Sequence, residues 1–397
     1  MIYQLIIRLL LTFYHLALRI TIKIKKGCKK KSGERYDILI TGTFYSGNWL
    51  HPHLQPLAIS KKVSRVRMVA TSPVPEMSSV YPVYPPDILI YLIGAVPARL
   101  LTFIWYALKD RPDVIGGFHL LLNGLLAIFL ARLIGSHSLY FCGGGPREVI
   151  GGGIYTENRI FRRLYKPNQS IEKQLIKSIK HCNIIVVMGS GAATFFKENG
   201  VNQKSIHIIP GGFSSKIYFP STDTPIFDLI TVGRISSVKR IDTLIESVSL
   251  LKYYFPNIKT LIVGDGPLKK SLQDLTISMG LRDNVTFVGH QDNVAHWLRQ
   301  AKIFVMTSDS EGVSQAMIQA MLCGLPPVVS DVGDLRDLVI HESNGYLIKN
   351  RLAINFSDRI RHLLINEDIR IELSKAAYYT ALQHSTTQTA SNWDFIL

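Results

Sequence analysis

Four short apolar runs in the second half of the chain end in similar ways. FDLITVG (Phe227–Gly233), LIVGDGP (Leu261–Pro267) and VTFVGH (Val285–His290) stop at a glycine turn, and Ile303–Met306 stops at the polar turn before Glu311-Gly312. Apolar runs of this length without polar alternation are strands covered on both faces, and helix-length segments between them make the sheet parallel. Few folds other than a doubly wound sheet suit such a chain, and that sheet binds ligands at the carboxyl ends of its strands. The stretch TSDSEGVSQAMIQAMLCG (Thr307–Gly324) belongs to that edge. Glu311-Gly312 is expected to open a helix that ends at Gly324 and the Pro326-Pro327 pair. Gln319 follows a little over two helical turns later, so both polar groups can face one crevice while Ala316, Ile318 and Met321 pack elsewhere. An acidic turn ahead of a helix also serves as a plain complement to the helix dipole.

RISSVKR follows the Phe227–Gly233 run and leads into a helix near Ile241. A strand ending in glycine, with Arg234, Lys239 and Arg240 around a helix start, makes an anion site from backbone N–H groups and cations. The bland alternative is a set of solvated surface cations.

The first half shows the same alternation. Candidate strands are Asp37–Thr41, Arg65–Ala70, Asp113–Gly117, Leu139–Cys142, Asn183–Met188 and Ile206–Ile209, and a second domain begins near Ile217 after Pro210-Gly211-Gly212. Gly42 and Gly47, after the first strand, are candidates for letting a ligand approach the backbone; a tight turn explains them equally well. The segment is not the GxGxxG fingerprint, which excludes a nicotinamide dehydrogenase. GGGPREVIGGG (Gly143–Gly153) lacks the P-loop Lys-Ser/Thr and is expected to be a mobile loop at the cleft.

The length of 397 residues allows two domains, and charge divides unequally between them. Residues 1–215 hold 27 Lys+Arg against 10 Asp+Glu, or +17; residues 216–397 hold 18 against 19, or −1. A basic half suggests an anionic partner, whether membrane surface, phosphorylated lipid or nucleic acid. The lysines cluster beside an apolar helix and lack the aromatic interleaving of single-strand binders, so nucleic acid is not expected. Cys28, Cys142, Cys182 and Cys323 are scattered without CxxC or His pairing, which fits a reducing cytoplasm and no metal site.

In residues 1–26, Gln4, Arg8, Thr12, His15, Arg19, Lys23 and Lys26 fall within about 100° of one helical arc. A narrow polar stripe beside a wide apolar face suits a helix lying in a membrane interface. The run KKGCKKK (Lys25–Lys31) would add about 1 kcal/mol per residue on anionic headgroups. A spanning helix is the alternative, with Arg8 near mid-span costing about 2.5–3.5 kcal/mol and the lysines holding the remaining chain in the cytoplasm; a helix packed in a protein core is a third reading. The pattern is not that of a cleaved signal peptide. Ile88–Leu108 carries one charge, Arg99, and a kinking Pro97, and is expected to be a bent interfacial segment; packing under another element is the alternative.

VGRISSVKRIDTLIESV, LIVGDGPLKKSL, NVTFVGH and SDSEGVSQAMIQAMLCGLPPVVSDVGDLRDLV, closing with ESNGYLI, resemble in sequence and order the donor half of retaining glycosyltransferases of family four, of the glycosyl transferases group one type. The match is close over residues 205–350 and looser over Arg111–Gly135 and Ile206–Pro220; the first 33 residues and most of 75–110 lie outside it. The resemblance implies an α/β chain of the GT-B fold, two Rossmann-like doubly wound parallel-sheet domains facing a cleft. Residues 1–33 are the membrane-associating helix and basic run read above, and on the resemblance 34–216 are the acceptor-side domain, 217–371 the nucleotide-sugar domain, and 372–397 a helix returning to the first domain.

The resemblance further implies that Arg234 and Lys239, beside Gly233, grip the donor diphosphate and stabilise the leaving nucleotide. Gly264, Gly266, Val288 and Gly289 would flank the base. Glu311, with the backbone of Gly312 and Val313, would hold the donor sugar. Gln319 stands where the family usually has a ribose-binding Glu, and an amide still exchanges hydrogen bonds with hydroxyls. His119 is matched to the histidine that usually follows the DVI strand near the reacting sugar, although Gly116-Gly117-Phe118 shifts the match by about a residue; a structural histidine is the alternative. Without a metal, a departing diphosphate needs fixed cations and helix dipoles. The chain has no Asp-x-Asp, no cofactor is implied, and retention rests on the resemblance alone.

These readings describe a glycosyltransferase on the cytoplasmic face of an anionic membrane, passing sugar from a nucleotide diphosphate sugar to a lipid-linked or surface-glycan acceptor. The alternative is a non-catalytic GT-B relative that binds a nucleotide sugar or a partner, and Gln319 is what favours it.

Overall fold

The computed structural model describes residues 2–21, 35–44, 47–156, 158, 161 and 163–397. Lys23, Lys26, Cys28 and the Lys25–Lys31 run lie outside the described residues. The chain forms two units, one comprising Met1–Gly212 and Thr389–Leu397, the other Phe213–Gln388.

Unit 1 holds β1 (Tyr36–Thr41), β2 (Val63–Val69), β3 (Val80–Val83), β4 (Val114–Phe118), β5 (His137–Cys142), β6 (Ile184–Val187) and β7 (Ile206–Ile208), side by side as β3-β2-β1-β4-β5-β6-β7. Unit 2 holds β8 (Phe227–Val232), β9 (Thr260–Val263), β10 (Val285–Gly289), β11 (Ala301–Met306), β12 (Pro327–Ser330) and β13 (Tyr346–Ile348), in the order β10-β9-β8-β11-β12-β13. Both sheets are parallel. In each, the chain lays down strands to one side and then crosses back to the other side of its first strand. The switch point, where ligands of such sheets bind, therefore lies between β1 and β4 and between β8 and β11.

Alternate residues serve opposite faces. Ile38, Ile40, Val114, Leu139, Phe141 and Ile184 pack with the helix Gly47–Ala58 and with Trp393. Leu39 and Ile115 meet Phe103, Ala127 and Leu130 on the other side, where Tyr140 and Ile185 join Ile128, Leu175 and Ile179. Cover on both faces explains why these strands read as unbroken apolar runs. β3 escapes such a reading because Pro82 removes a ladder donor, which is tolerated on a sheet edge, and β3 is an edge strand.

The first helix, Ile2–Thr21, docks in the opposite sense to that expected for a polar stripe facing water. Its stripe turns partly inward: Gln4 donates to Leu164 O at 3.2 Å, and buried His15 lies 3.0 Å from Gln174 O. Ile7, Leu11 and Leu18 join the core beside them. The broad apolar face, with Leu5, Leu9, Leu10, Phe13, Leu16 and Ile20, is left exposed, and Phe13 is 65% accessible. Tyr3–Thr21 is long and apolar enough to cross a membrane by length and composition.

Residues 88–108 form no single bent helix. Gly94, at φ 85°, separates Asp87–Ile93 from Ala95–Asp110. Pro97 sits in the first turn of the second helix, where its missing N–H costs nothing. The first of the two buries no residue, and Tyr91 is 88% accessible. Arg99 points the other way, 2% accessible, donating to the Thr41 hydroxyl at 2.6 Å.

Candidate active site

In unit 2 the strand ends at the switch point are brought together backbone to backbone. Gly233 N donates to Val263 O at 3.0 Å and Gly264 N to Gly289 O at 2.8 Å. Gly264 has φ 145°, and a Cβ there would lie 1.9 Å from Gly233 O; one on Gly266 would lie 2.2 Å from Ile235 O. These two glycines are required by the stacking of the turns after β8 and β9.

The turn Ser237–Lys239 precedes the helix Ile241–Lys252. It is tied to the segment after β11 because the Thr307 hydroxyl donates to the carbonyls of Lys239 at 3.1 Å and Arg240 at 2.7 Å, and Asp309 N donates to Val238 O at 2.8 Å. The ties set Lys239 Nζ 2.6 Å from Glu311 Oε1, both side chains partly buried. Arg234 follows Gly233, is exposed, and is engaged by no other described residue. Arg240 differs from the expected anion ligand: its guanidinium pairs with Asp242 at 2.9 Å and approaches Asp309 at 3.6 Å.

Glu311 does not open the helix. Ser314 caps it, accepting from Met317 N, and the helix runs Gln315–Leu322, so Glu311 and Gly312 lie in the loop ahead. The hydroxyl is the better cap because it reaches a free N–H of the first turn. A Cβ on Gly312 would meet nothing within 4 Å, so its own packing does not require glycine there. Val313 packs partly against the unit 2 core, and Gln319 is half-buried on the capped helix.

Two neighbours went unread in the sequence. Gly333 brings its backbone so close that a Cβ would lie 1.8 Å from Glu311 O. Lys269, within the quoted LKKSL, lies beside Gly289 and pairs with Asp265 at 2.9 Å. Val288 and Gly289 end β10, Gly289 at φ 74°. A cavity of about 630 Å³, lined by Asp331, His341, Lys349, Arg359 and His362 among others, lies past β12 and β13 and contains none of the candidate residues. Among the described residues no group of three His, Cys, Asp or Glu side chains could hold a metal ion.

In unit 1, Gly42 and Gly47 are each required by the chain's own packing. A Cβ on Gly42 would strike Phe118 Cβ at 2.6 Å and one on Gly47 would strike Pro75 at 2.6 Å, so the chain's own side chains occupy that space. The Gly143–Gly153 segment is a packed pair of turns, Gly145–Glu148 and Ile150–Gly152, with Gly151, Gly152 and Gly153 against Ile154, Ile171 and Leu121.

His119 stands directly after β4 at the switch point, at φ 62°, a conformation that L residues rarely hold. Its Nδ1 lies 3.0 Å from Glu148 Oε1, its ring stacks on Trp49 at 5.9 Å between centroids and 15° between planes, and 31% of the side chain is accessible. Glu148 is 2% accessible and also accepts from Gly144 N, Leu120 N and the Tyr140 hydroxyl at 2.7, 2.6 and 2.8 Å. Burial pushes its pKa up, but the His119 charge and hydrogen bond, helped by the two backbone N–H groups, outweigh that and hold it below the usual carboxylate value. Glu148 lies inside GGGPREVIGGG, where the glycines suggest a mobile loop and nothing local marks the carboxylate.

Residues 220–380 match the family model described as glycosyl transferases group 1. N-acetyl-alpha-D-glucosaminyl L-malate synthase of Bacillus anthracis is 28% identical over 149 residues, 38% of this chain and 39% of that protein. D-inositol 3-phosphate glycosyltransferase of Pseudarthrobacter chlorophenolicus is 26% identical over 224 residues, 52% of this chain and 53% of that protein. The chain thus spans 39% and 53% of the length of these two relatives. The crystal structure of Anabaena Alr3699/HepE in complex with UDP has 16% identity and a TM-score of 0.67, covering 90% of this chain and 98% of that one. Residues 220–380 are therefore a glycosyl transferases group 1 segment, carried by a chain of the GT-B fold.

Proposed function

We propose that the chain is a glycosyltransferase that moves a sugar from a nucleotide diphosphate sugar to a lipid-linked or surface-glycan acceptor, retaining configuration and using no metal. The observation that carries this reading is the Lys239–Glu311 pair at the unit 2 switch point, with exposed Arg234 on the neighbouring loop. Diphosphate entering there meets two cations, and Lys239, once shifted onto phosphate, leaves the Glu311 carboxylate for the sugar hydroxyls. Gly312, required by no packing contact, leaves backbone N–H groups approachable beside them. His119 is assigned to the reacting sugar. The structural relative bound to UDP makes a uridine nucleotide the first donor to try.

The lipid side of the proposal rests on unit 1. An apolar face turned outward on Ile2–Thr21 and an Asp87–Ile93 helix that buries no residue suit an anionic bilayer better than water, and the charge of residues 1–215 has the matching sign. Calorimetry with UDP, GDP and ADP, with and without sugars, tests the donor assignment, with Lys239→Ala as control. One nucleotide bound well by the parent and lost in the variant is the expected result. Binding of none to folded protein favours the non-catalytic relative, for which Gln319 in place of a ribose-binding Glu is the specific observation.

A further inference from the structure

Between Asp87 and Lys109 the chain carries one charge, Arg99, and that side chain is turned inward to Thr41. The outward surface of the helices Asp87–Ile93 and Ala95–Asp110 is therefore uncharged from Ile88 to Leu108. Ile88, Tyr91 and Leu92 are exposed on the first of them. Leu101, Trp105 and Leu108, at spacings of 4 and 3, form an exposed stripe on the second.

The helix Leu125–Ile134 relates this surface to that of Ile2–Thr21. It lies against β4 and β5 and packs with Phe103 and Ala107. It also receives the Tyr14 hydroxyl, which donates to Leu125 O at 2.9 Å, while the Tyr14 ring lies 6.4 Å from that of Phe129. Ile2–Thr21 and Ala95–Asp110 thus lie on one face of the unit 1 sheet, each with an apolar side turned away from it. Arg99 stands about one turn into its helix and meets the last residue of β1, so that helix begins at the carboxyl end of the sheet. The Asp87–Ile93 helix joins it there through Gly94 and buries no residue. It therefore stands at the end of the sheet that holds the switch point.

We propose that unit 1 rests on an anionic bilayer at two places, the outward face of Ile2–Thr21 and the Ile88–Leu108 surface, the second beside the carboxyl ends of β1 and β4. This rests on the membrane half of the reading above and adds where the lipid lies. Charge selects the occupant. Arg19 closes the first helix, and Lys109 and Arg111 close Ala95–Asp110, so cations rim both apolar surfaces. Of the two acids bounding the second surface, Asp110 is paired with Arg67 and Asp87 complements a helix N-terminus. Uncharged surface carrying Tyr91 and Trp105 and rimmed by cations suits the headgroup boundary of anionic lipid.

The test uses the full chain and vesicles of phosphatidylglycerol and phosphatidylcholine, with chain-brominated phosphatidylcholine as quencher. Comparison with Trp105→Phe isolates the Trp105 emission, and Tyr91→Trp in that background reports on position 91. Brominated chains should quench both positions. Tyr91→Asp with Leu92→Asp should lower vesicle affinity about tenfold or more at an unchanged melting temperature, because neither side chain is buried. Vesicle binding with both positions unquenched overturns the proposal, while a contact through the first helix keeps the membrane reading intact. A dimer by sedimentation that shields Trp105 before vesicles are added, with no quenching after, gives the surface to a second copy and also overturns it. Absence of any vesicle binding brings down the membrane reading together with this proposal. The calorimetric test of the donor is independent of all three outcomes.

Discussion

Lys239 Nζ lies 2.6 Å from Glu311 Oε1, so in the free protein each charge is the other's partner. The two groups should separate in function. Lys239→Ala should weaken nucleotide diphosphate binding about 10- to 100-fold, as loss of a charge-assisted contact does. Glu311→Gln should leave that binding within about threefold and cut transfer by about 100-fold or more. Calorimetry and initial rates on the two variants check the pair.

Leu10 and Phe13 lie on the outward apolar face of the first helix. Each contributes about 1.5–3 kcal/mol when its side chain leaves water. Leu10→Asp with Phe13→Asp should therefore reduce partitioning onto anionic vesicles by about 100-fold or more. The melting temperature should move little, because neither side chain belongs to the core. Flotation beside thermal melts gives both readings.

His53 is buried among Trp49, Phe118 and Phe141, and burial, with a smaller contribution from His119, pushes its pKa down to about 4. The unfolded chain takes up this proton at an ordinary histidine pKa while the folded one resists it. Stability is therefore intact above about pH 6.5 and falls as pH drops toward 4, by up to about 3 kcal/mol. His53→Phe should flatten this part of a plot of denaturant midpoint against pH. Glu148, with its lowered pKa, adds a loss only at more acid pH, below the usual carboxylate value.

Arg99 is buried with one hydrogen bond, to the Thr41 hydroxyl, its Nε has no partner, and burial pushes its pKa down to about 10. A desolvated cation so poorly compensated costs stability. Arg99→Met should be neutral or stabilising by about 1–4 kcal/mol, whereas Thr41→Val, which strands the guanidinium, should cost about 1–3 kcal/mol. Urea titrations decide the sign.

What could be read from the sequence was periodic or local. Most strands of both sheets announce themselves because strands covered on both faces are largely apolar, and Lys239 and Glu311 stand at strand ends, where doubly wound sheets place their chemistry. What escaped depended on contacts distant in the chain. Gly42 and Gly47 look the same whether a ligand or Phe118 and Pro75 fill the missing side chain. Glu148 becomes significant only when β4 and β5 bring four donors around it. The polar stripe of the first helix was visible, but which face turns inward depends on partners, Leu164 and Gln174, some 160 residues away.

Trp393 is fully buried in unit 1, 6.0 Å from the Phe141 ring, and Asp394 next to it accepts from the Ser60 hydroxyl at 2.6 Å and Lys61 N at 2.8 Å. Residues 389–397 leave the ribosome only after all of unit 2 has been made. Throughout that interval the nascent unit 1 carries an unfilled hole beside Phe141 and must wait, incomplete and open to chaperones, for a plug encoded on the far side of another domain.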